Sequence, residues 1–313
     1  MILGIDIGGT FIKLGLVRGR KIHFQQILST GPLSSNPAML QNELVEAARP
    51  LVRRYRIRAV GIGIPGLVRY PQGIVDSCAN LPGWRGIGLQ TNLSRRLGMP
   101  VRVDNDVHAM TLAEWHYGAG RGVQNLLCLT LGTGVGGGLV LNGKLYRSAQ
   151  GPSAEIGHVP IAEEGLSCPC GGKGCLERYV GNRHIVRAVQ QRLKSGEKSI
   201  ITRLVGGRLE RIQPETIDEA CRKGDPFAQE IWRTAGEQIG LILAGTVNLL
   251  CPERIVIGGG IAQAGRWLFE PIRRTVRRRA MRGLGNIPIV AAKLGPSAGI
   301  VGAVLLAGEA LKR

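Results

Sequence analysis

One short pattern occurs twice in this chain: an apolar strand, a Gly-Thr turn and a second apolar strand. Ile2 to Ile7 runs into Gly8-Gly9-Thr10 and resumes through Phe11 to Val17. Leu126 to Leu131 runs into Gly132-Thr133-Gly134 and resumes through Gly138 to Leu141. Arg18-Gly19-Arg20 and Asn142-Gly143 then read as hairpin turns, the second a strong two-residue signal. The recurrence predicts two related α/β halves with a cleft between them. Between the copies, Leu40, Leu44, Ala47 and Leu51 recur at helical spacing and predict a helix over 37–55, and Ala59 to Ile64 reads as a buried strand. A glycine-containing stretch at 117–122 sets the boundary, giving a small lobe over 1–118 and a large lobe over 119–297. Ala298 to Leu311 reads as a terminal helix, and 298–313 is expected to pack back on the first lobe.

The chain has 313 residues, enough for about two domains and a substantial core. Hydrophobic residues are 44% and charged residues 20%, which excludes a disordered chain. Asp6 interrupts the first apolar run, and no basic flank precedes it, so no signal peptide is read there. The apolar stretch at 239–251 is too short to span a bilayer. A cytoplasmic protein is the expectation. The formal charge is +19, with arginine clusters at 49–58 and 273–282. Such a charge suits phosphate contacts with nucleic acid. Aromatics are only 4%, too few for stacking platforms, so the clusters read as a solvated surface and specific nucleic-acid binding is not expected.

Three glycine-rich turns are candidates for nucleotide binding. Asp6-Ile7-Gly8-Gly9-Thr10 places a carboxylate at a strand end beside backbone N–H groups, a form that can hold a metal ion against phosphate oxygens. Taken alone, such a turn is more often a plain hairpin. Gly132 to Gly137 formally matches the dinucleotide fingerprint, but a strand follows where a helix should. Gly138 to Lys144 has P-loop spacing, but Leu145 stands where Ser or Thr must meet the metal. Gly258-Gly259-Gly260 follows the strand Ile255-Val256-Ile257 and suits close packing against a flat ligand such as adenine.

Cys168, Cys170 and Cys175 lie in one glycine-rich segment, with His158 ten residues before the first of them. Three thiolates and an imidazole complete a tetrahedral zinc site. The Cys-x-Cys spacing leaves a disulfide or free thiols open. An intracellular chain disfavours the disulfide, and zinc is the reading adopted. Cys78, Cys128, Cys221 and Cys251 are scattered singly and read as core thiols. Asn105-Asp106 follows a short strand beginning at Val101. A carboxylate there can accept a hydroxyl proton. The alternative is a cap for a helix over 111–117, which composition alone favours.

In order along the chain stand Asp6-Ile7-Gly8-Gly9-Thr10, Asn105-Asp106, Leu131-Gly132-Thr133-Gly134-Val135-Gly136, Glu155-Ile156-Gly157-His158 and Cys168-x-Cys170-Gly171-x-x-Gly174-Cys175-x-Glu177. Together they resemble the ROK family of repressors, open reading frames and sugar kinases, over essentially the whole chain. The resemblance implies a two-lobed actin-like ATPase (ribonuclease H-like) α/β fold with a zinc-binding loop, closing on sugar and ATP, and homodimers or larger assemblies. It implies Asp106 as catalytic base for a sugar 6-hydroxyl, and Asn80, Asn105, Glu155, His158 and Glu177 as sugar contacts. Asp6, Gly8, Gly9, Thr10, Lys13, Thr133 and Gly134 match the ATP phosphate and Mg²⁺ region, and Gly258 and Gly259 the adenosine motif. His158, Cys168, Cys170 and Cys175 would hold a structural zinc, with the other nitrogen of His158 aimed at the sugar.

Val107-His108 follows Asp106 where the family often has Ala-Asn, and Ala154 replaces the usual glycine before Glu155. Both departures bear on which sugar is preferred. The expected reaction is ATP-dependent phosphorylation of glucose or a related hexose at O6. An N-acetylmannosamine or N-acetylglucosamine kinase is the first alternative, and a sugar-responsive regulator lacking its DNA-binding domain the second. Only five residues precede Asp6, too few for a helix-turn-helix domain. Because Glu155 and Glu177 flank the metal ligands, loss of zinc is expected to weaken hexose binding strongly and ATP binding much less.

Overall fold

In the computed structural model, which describes residues 1–33, 35–78, 81–149 and 152–311, mixed α/β elements follow in order. Strands β1 (Ile2–Ile7), β2 (Phe11–Arg18) and β3 (Lys21–Ser29) open the chain, then helix α1 (Pro37–Tyr55) and strand β4 (Ala59–Ile64). The short β5 (Leu67–Arg69) and β6 (Ile74–Ser77), helix α2 (Leu89–Leu97), strand β7 (Val101–Asn105) and helix α3 (Asp106–Tyr117) come next. Strands β8 (Leu126–Leu131), β9 (Val135–Leu141) and β10 (Lys144–Leu145) follow. Then come helices α4 (Glu177–Val180), α5 (Asn182–Lys194), α6 (Ile201–Leu204), α7 (Pro214–Arg222) and α8 (Pro226–Leu250). The chain ends with β11 (Arg254–Gly258), α9 (Arg266–Arg279), β12 (Ile289–Ala291) and α10 (Ala298–Ala310).

Two units are formed: Met1–Gln124 with Gly138–Ser153 and Lys293–Arg313, and Asn125–Gly137 with Ala154–Ala292. The boundaries depart from those expected from sequence. Residues 119–124 and 138–153 belong with the first unit, because β9 passes out of the second unit at Gly137 and ends in a hairpin with β10. Asn142 (φ 50°) and Gly143 (φ 69°) form the turn of that hairpin, the left-handed pair a two-residue loop requires.

The first unit carries a sheet of order β3-β2-β1-β4-β7, antiparallel across β1–β3 and parallel across β1, β4 and β7. Strand β4 is buried at every position, as a strand covered on both faces must be. Leu3, Ile5, Leu14, Leu40, Leu44, Ile62 and Val103 share its core. Helix α10 lies directly on this sheet. Gly4 of β1 and Gly61 of β4 make room for the Ile300 and Ala303 carbonyls, and Gly302 for the Ala109 carbonyl of α3; a Cβ at any of these would collide. Glu114, fully buried, accepts the N–H groups of Ala119, Lys293 and Leu294 at 2.7–3.1 Å and ties the end of α3 to the approach of α10.

In the second unit, β8, β11 and β12 run parallel, and β9 leaves beside β8. Helices α8 and α9 pack closely because Gly236 and Gly240 present no side chain to Leu268, Ile272 and Thr275. Among the described residues, no helix is long and apolar enough to cross a membrane.

Candidate functional site

In the first unit, Asp6 is the penultimate residue of β1 and pairs across the register with Lys13, whose Nζ lies 4.0 Å from Asp6 Oδ2. The turn after it closes through Gly8 N–H donating to the Phe11 carbonyl at 2.9 Å. Thr30 holds the turn from outside: its hydroxyl donates to Gly8 O, and its N–H to Thr10 O. Gly299, at the start of α10, faces the Asp6 carboxyl so closely that a Cβ there would strike it.

Asp106 is the first residue of α3, so that helix starts five residues before the expected 111. Asn105 is its N-cap: Oδ1 accepts from the Val107 and His108 N–H groups, and Nδ2 donates to Gly66 O at 3.0 Å. The cap frees the Asp106 carboxylate from that duty, although Oδ1 still accepts its neighbour Val107 N–H at 2.9 Å. Burial pushes Asp106 up, and the Asp6 carboxylate adds to it, to about 7. Burial raises Asp6 as well, with Lys13 opposing. Two buried carboxylates, one of which raises the other, form a donor set that fits a divalent cation.

Sequence reasoning missed the groups behind this pair. Asp104, 1% exposed, accepts from Asn105 N–H and His108 Nδ1, and takes Arg147 Nε at 2.7 Å. Arg147 stacks on the Tyr70 ring, 4.0 Å from its centroid, and reaches Glu309 of α10 at 3.2 Å. An isolated Asp before Asn-Asp carries no sequence signal that an arginine 43 residues later will neutralise it.

In the second unit, Thr133 and Gly134 form the turn between β8 and β9. Gly258 and Gly259 are brought to it: Gly259 has φ +91°, and a Cβ there would collide with the Leu131 carbonyl just before the turn. Glu177, opening α4, accepts Val135 N–H at 2.9 Å. Glu155 precedes a single 3₁₀ turn that carries His158.

His158, Cys168, Cys170 and Cys175 converge, their ligand atoms all within 4.8 Å of one another. Cys168 Sγ lies 3.6 Å from His158 Nδ1, and Cys170 Sγ 3.6 Å from Cys175 Sγ. A zinc tetrahedron with bonds of about 2.3 Å to sulfur and about 2.0 Å to nitrogen has edges of about 3.5–3.8 Å. The cluster therefore has the size and donor chemistry to hold zinc. Gly171 (φ +96°) and Gly174 (φ +70°) allow the wrap, and Cys168 N–H closes it on Gly172 O at 2.8 Å. Nδ1 is the nitrogen turned toward the thiols. Asn80 lies outside the described residues.

Glycine turns on two α/β sheets, a strand-end carboxylate and a Cys/His loop define the two-lobed actin-like ATPase class with a loop able to bind zinc. Within that class the chain belongs to the ROK family, whose family model matches residues 2–310. A glucokinase of Streptomyces coelicolor is 35% identical, with 98% of this chain and 97% of that protein covered. A ROK family glucokinase from Streptomyces griseus, solved with glucose and AMPPNP, superposes with a TM-score of 0.86 at 34% identity, over 98% of this chain and 99% of that one. A ROK family transcriptional regulator, a homologue of the Escherichia coli Mlc protein, reaches a TM-score of 0.88 at 27% identity, but this chain covers 77% of it. Full-length likeness to glucokinases supports a sugar kinase.

Proposed function

We infer that the chain is an ATP-dependent hexose kinase that phosphorylates the 6-hydroxyl of glucose or a close relative, with Asp106 as general base. The observation that carries this reading is Asp106 itself: a carboxylate released from capping by Asn105 and raised to about 7, where a base at neutral pH is most effective. Asp106 accepts the 6-hydroxyl proton as that oxygen attacks the γ-phosphorus. The proton ends on Asp106 Oδ, the P–O bond to ADP breaks, and the sugar phosphate leaves. Such transfers need alignment and charge neutralisation more than covalent help.

As sugar contacts we assign Asn80, Asn105, Asp106, Glu155, His158 and Glu177; Asn105 has one Nδ2 hydrogen left after Gly66 O. Gly8, Gly9, Thr10, Lys13, Thr133 and Gly134 would receive the phosphates, and Gly258 and Gly259 the adenosine. Asp6 would hold Mg²⁺, which when bound neutralises charge on the phosphate oxygens. The structural zinc would sit on His158 Nδ1 and the three thiolates, leaving Nε2 for a hydroxyl. We further assign a cytoplasmic homo-oligomer. The regulator reading keeps a footing in the regulator neighbour, but Asp106 is present and elevated, which a sugar sensor does not need. A coupled assay over glucose, mannose, fructose, galactose, N-acetylglucosamine and N-acetylmannosamine tests the proposal: ATP-dependent turnover with glucose is expected, and absence of turnover with every sugar would refute it.

A further inference from the structure

Val135 is held on both sides by the segments that carry the metal ligands. Its N–H donates to Glu177 Oε2 at 2.9 Å, and its carbonyl lies where a Cβ at Gly157 would collide with it. Glu177 stands two residues after Cys175, and Gly157 directly precedes His158. The Glu177 carboxylate also lies against Gly134, where a Cβ could fit only by pushing it aside. Farther along, Asn182 N–H donates to Gly132 O at 2.9 Å, and Gly181 leaves space for the Thr133 carbonyl, which a Cβ would approach to 3.1 Å. All these groups belong to the second unit. The turn has little to hold it from within: Gly132 N–H donates to Gly134 O at 2.9 Å, while its glycines favour many other shapes. Its shape is imposed from outside.

The geometry points to Glu177 as a positioning residue for the phosphate turn, so that the segment around the Cys/His cluster organises the nucleotide's region as well as the sugar's. This rests on reading Thr133-Gly134 as the phosphate turn of a kinase. A carboxylate accepting a backbone N–H is among the stronger hydrogen bonds, and Glu177 keeps its other oxygen for a sugar hydroxyl. The expectation that loss of the metal loop spares ATP binding is thereby reversed.

Calorimetric titration with AMPPNP and Mg²⁺, without sugar, separates the possibilities. Glu177→Ala removes the acceptor and should weaken nucleotide binding roughly 10-fold. Glu177→Gln keeps an oxygen for Val135 N–H and should bind nucleotide within about 3-fold of wild type, while both variants lose glucose affinity. A group serving only the sugar would leave nucleotide binding unchanged in both, and that result overturns the inference while leaving the kinase reading intact. A wild-type protein that neither binds AMPPNP nor phosphorylates any hexose would remove the kinase reading and this inference with it. If Glu177→Ala does not fold, amide exchange on the wild-type protein decides: removal of the metal by a chelator should speed exchange across 132–136, and unchanged protection there overturns the inference.

Discussion

Asp104 Oδ2 accepts Arg147 Nε at 2.7 Å, two residues before the proposed base and behind the strand end that carries it. Burial alone would raise Asp104, but the His108 hydrogen bond and charge, together with Arg147, outweigh it and hold its carboxyl below the ordinary range. Removing Arg147 leaves the buried Asp104 charge with His108 as its remaining side-chain partner. Arg147→Met should therefore cost about 3–5 kcal/mol of stability in urea unfolding. The double variant with Asp104→Asn should cost less than the sum of the single changes. Because the folded pKa is depressed, this contribution is present above the unfolded value of about 3.9 and fades as pH falls through the lower folded value. Additive costs in the cycle would show that the pair is not coupled.

Asp106 carries the opposite sign. Its folded pKa lies near 7, above the unfolded value of about 3.9, so stability falls as pH rises from about 4 to about 7 and levels off above that, where both states are ionised. Asp106→Asn should lose at least ~100-fold in turnover yet gain about 2–4 kcal/mol of stability at pH 8. For the wild type, kcat/KM should fall about tenfold per pH unit below about 7, where the base is protonated. A variant with near-native turnover would return Asp106 to a structural role, and an acid limb near pH 4 would place its pKa in the ordinary range.

How much of this was legible beforehand differs from one residue to the next. The helix at Pro37–Tyr55 and the strand at Ala59–Ile64 have the bounds expected, because each combines an unbroken periodicity with Gly or Pro punctuation. The Cys/His cluster was legible because metal ligands are few in kind and close in sequence. Helix α3 was read late: its N-cap is Asn105, within the motif read for its chemistry. Arg147, Glu114 and the Glu177–Val135 bond were not legible, since each acts on a group 42 or more residues away or on backbone amides that have no sequence signature.

Gly299 offers a test of Asp6. Gly299→Ala would press a methyl group on the Asp6 carboxyl, the end of a side chain, so the fold should survive while turnover drops roughly 10-fold through a displaced acid. Gly302→Ala meets the Ala109 backbone instead and should cost about 1–3 kcal/mol, read as a lowered Tm. Native turnover in Gly299→Ala would mean that the position of Asp6 does not matter to the reaction.

Metal analysis of the purified protein should give about one zinc per chain, as four protein ligands with no open position require. Cys170→Ser should retain well below one equivalent after dialysis. A protein that holds no zinc and phosphorylates glucose at full rate would leave the four side chains as bystanders.

The seat of α10 on Gly4, Gly61 and Ala109 has a consequence for how the chain is made. During synthesis the first strands emerge early, but the helix that covers them follows only after the whole of the second unit. Everything the second unit needs has been translated by residue 292, before α10 exists. The unit begun first is thus completed after the second, and until α10 emerges its sheet waits with one apolar face open, the period in which a holding chaperone would be of most use.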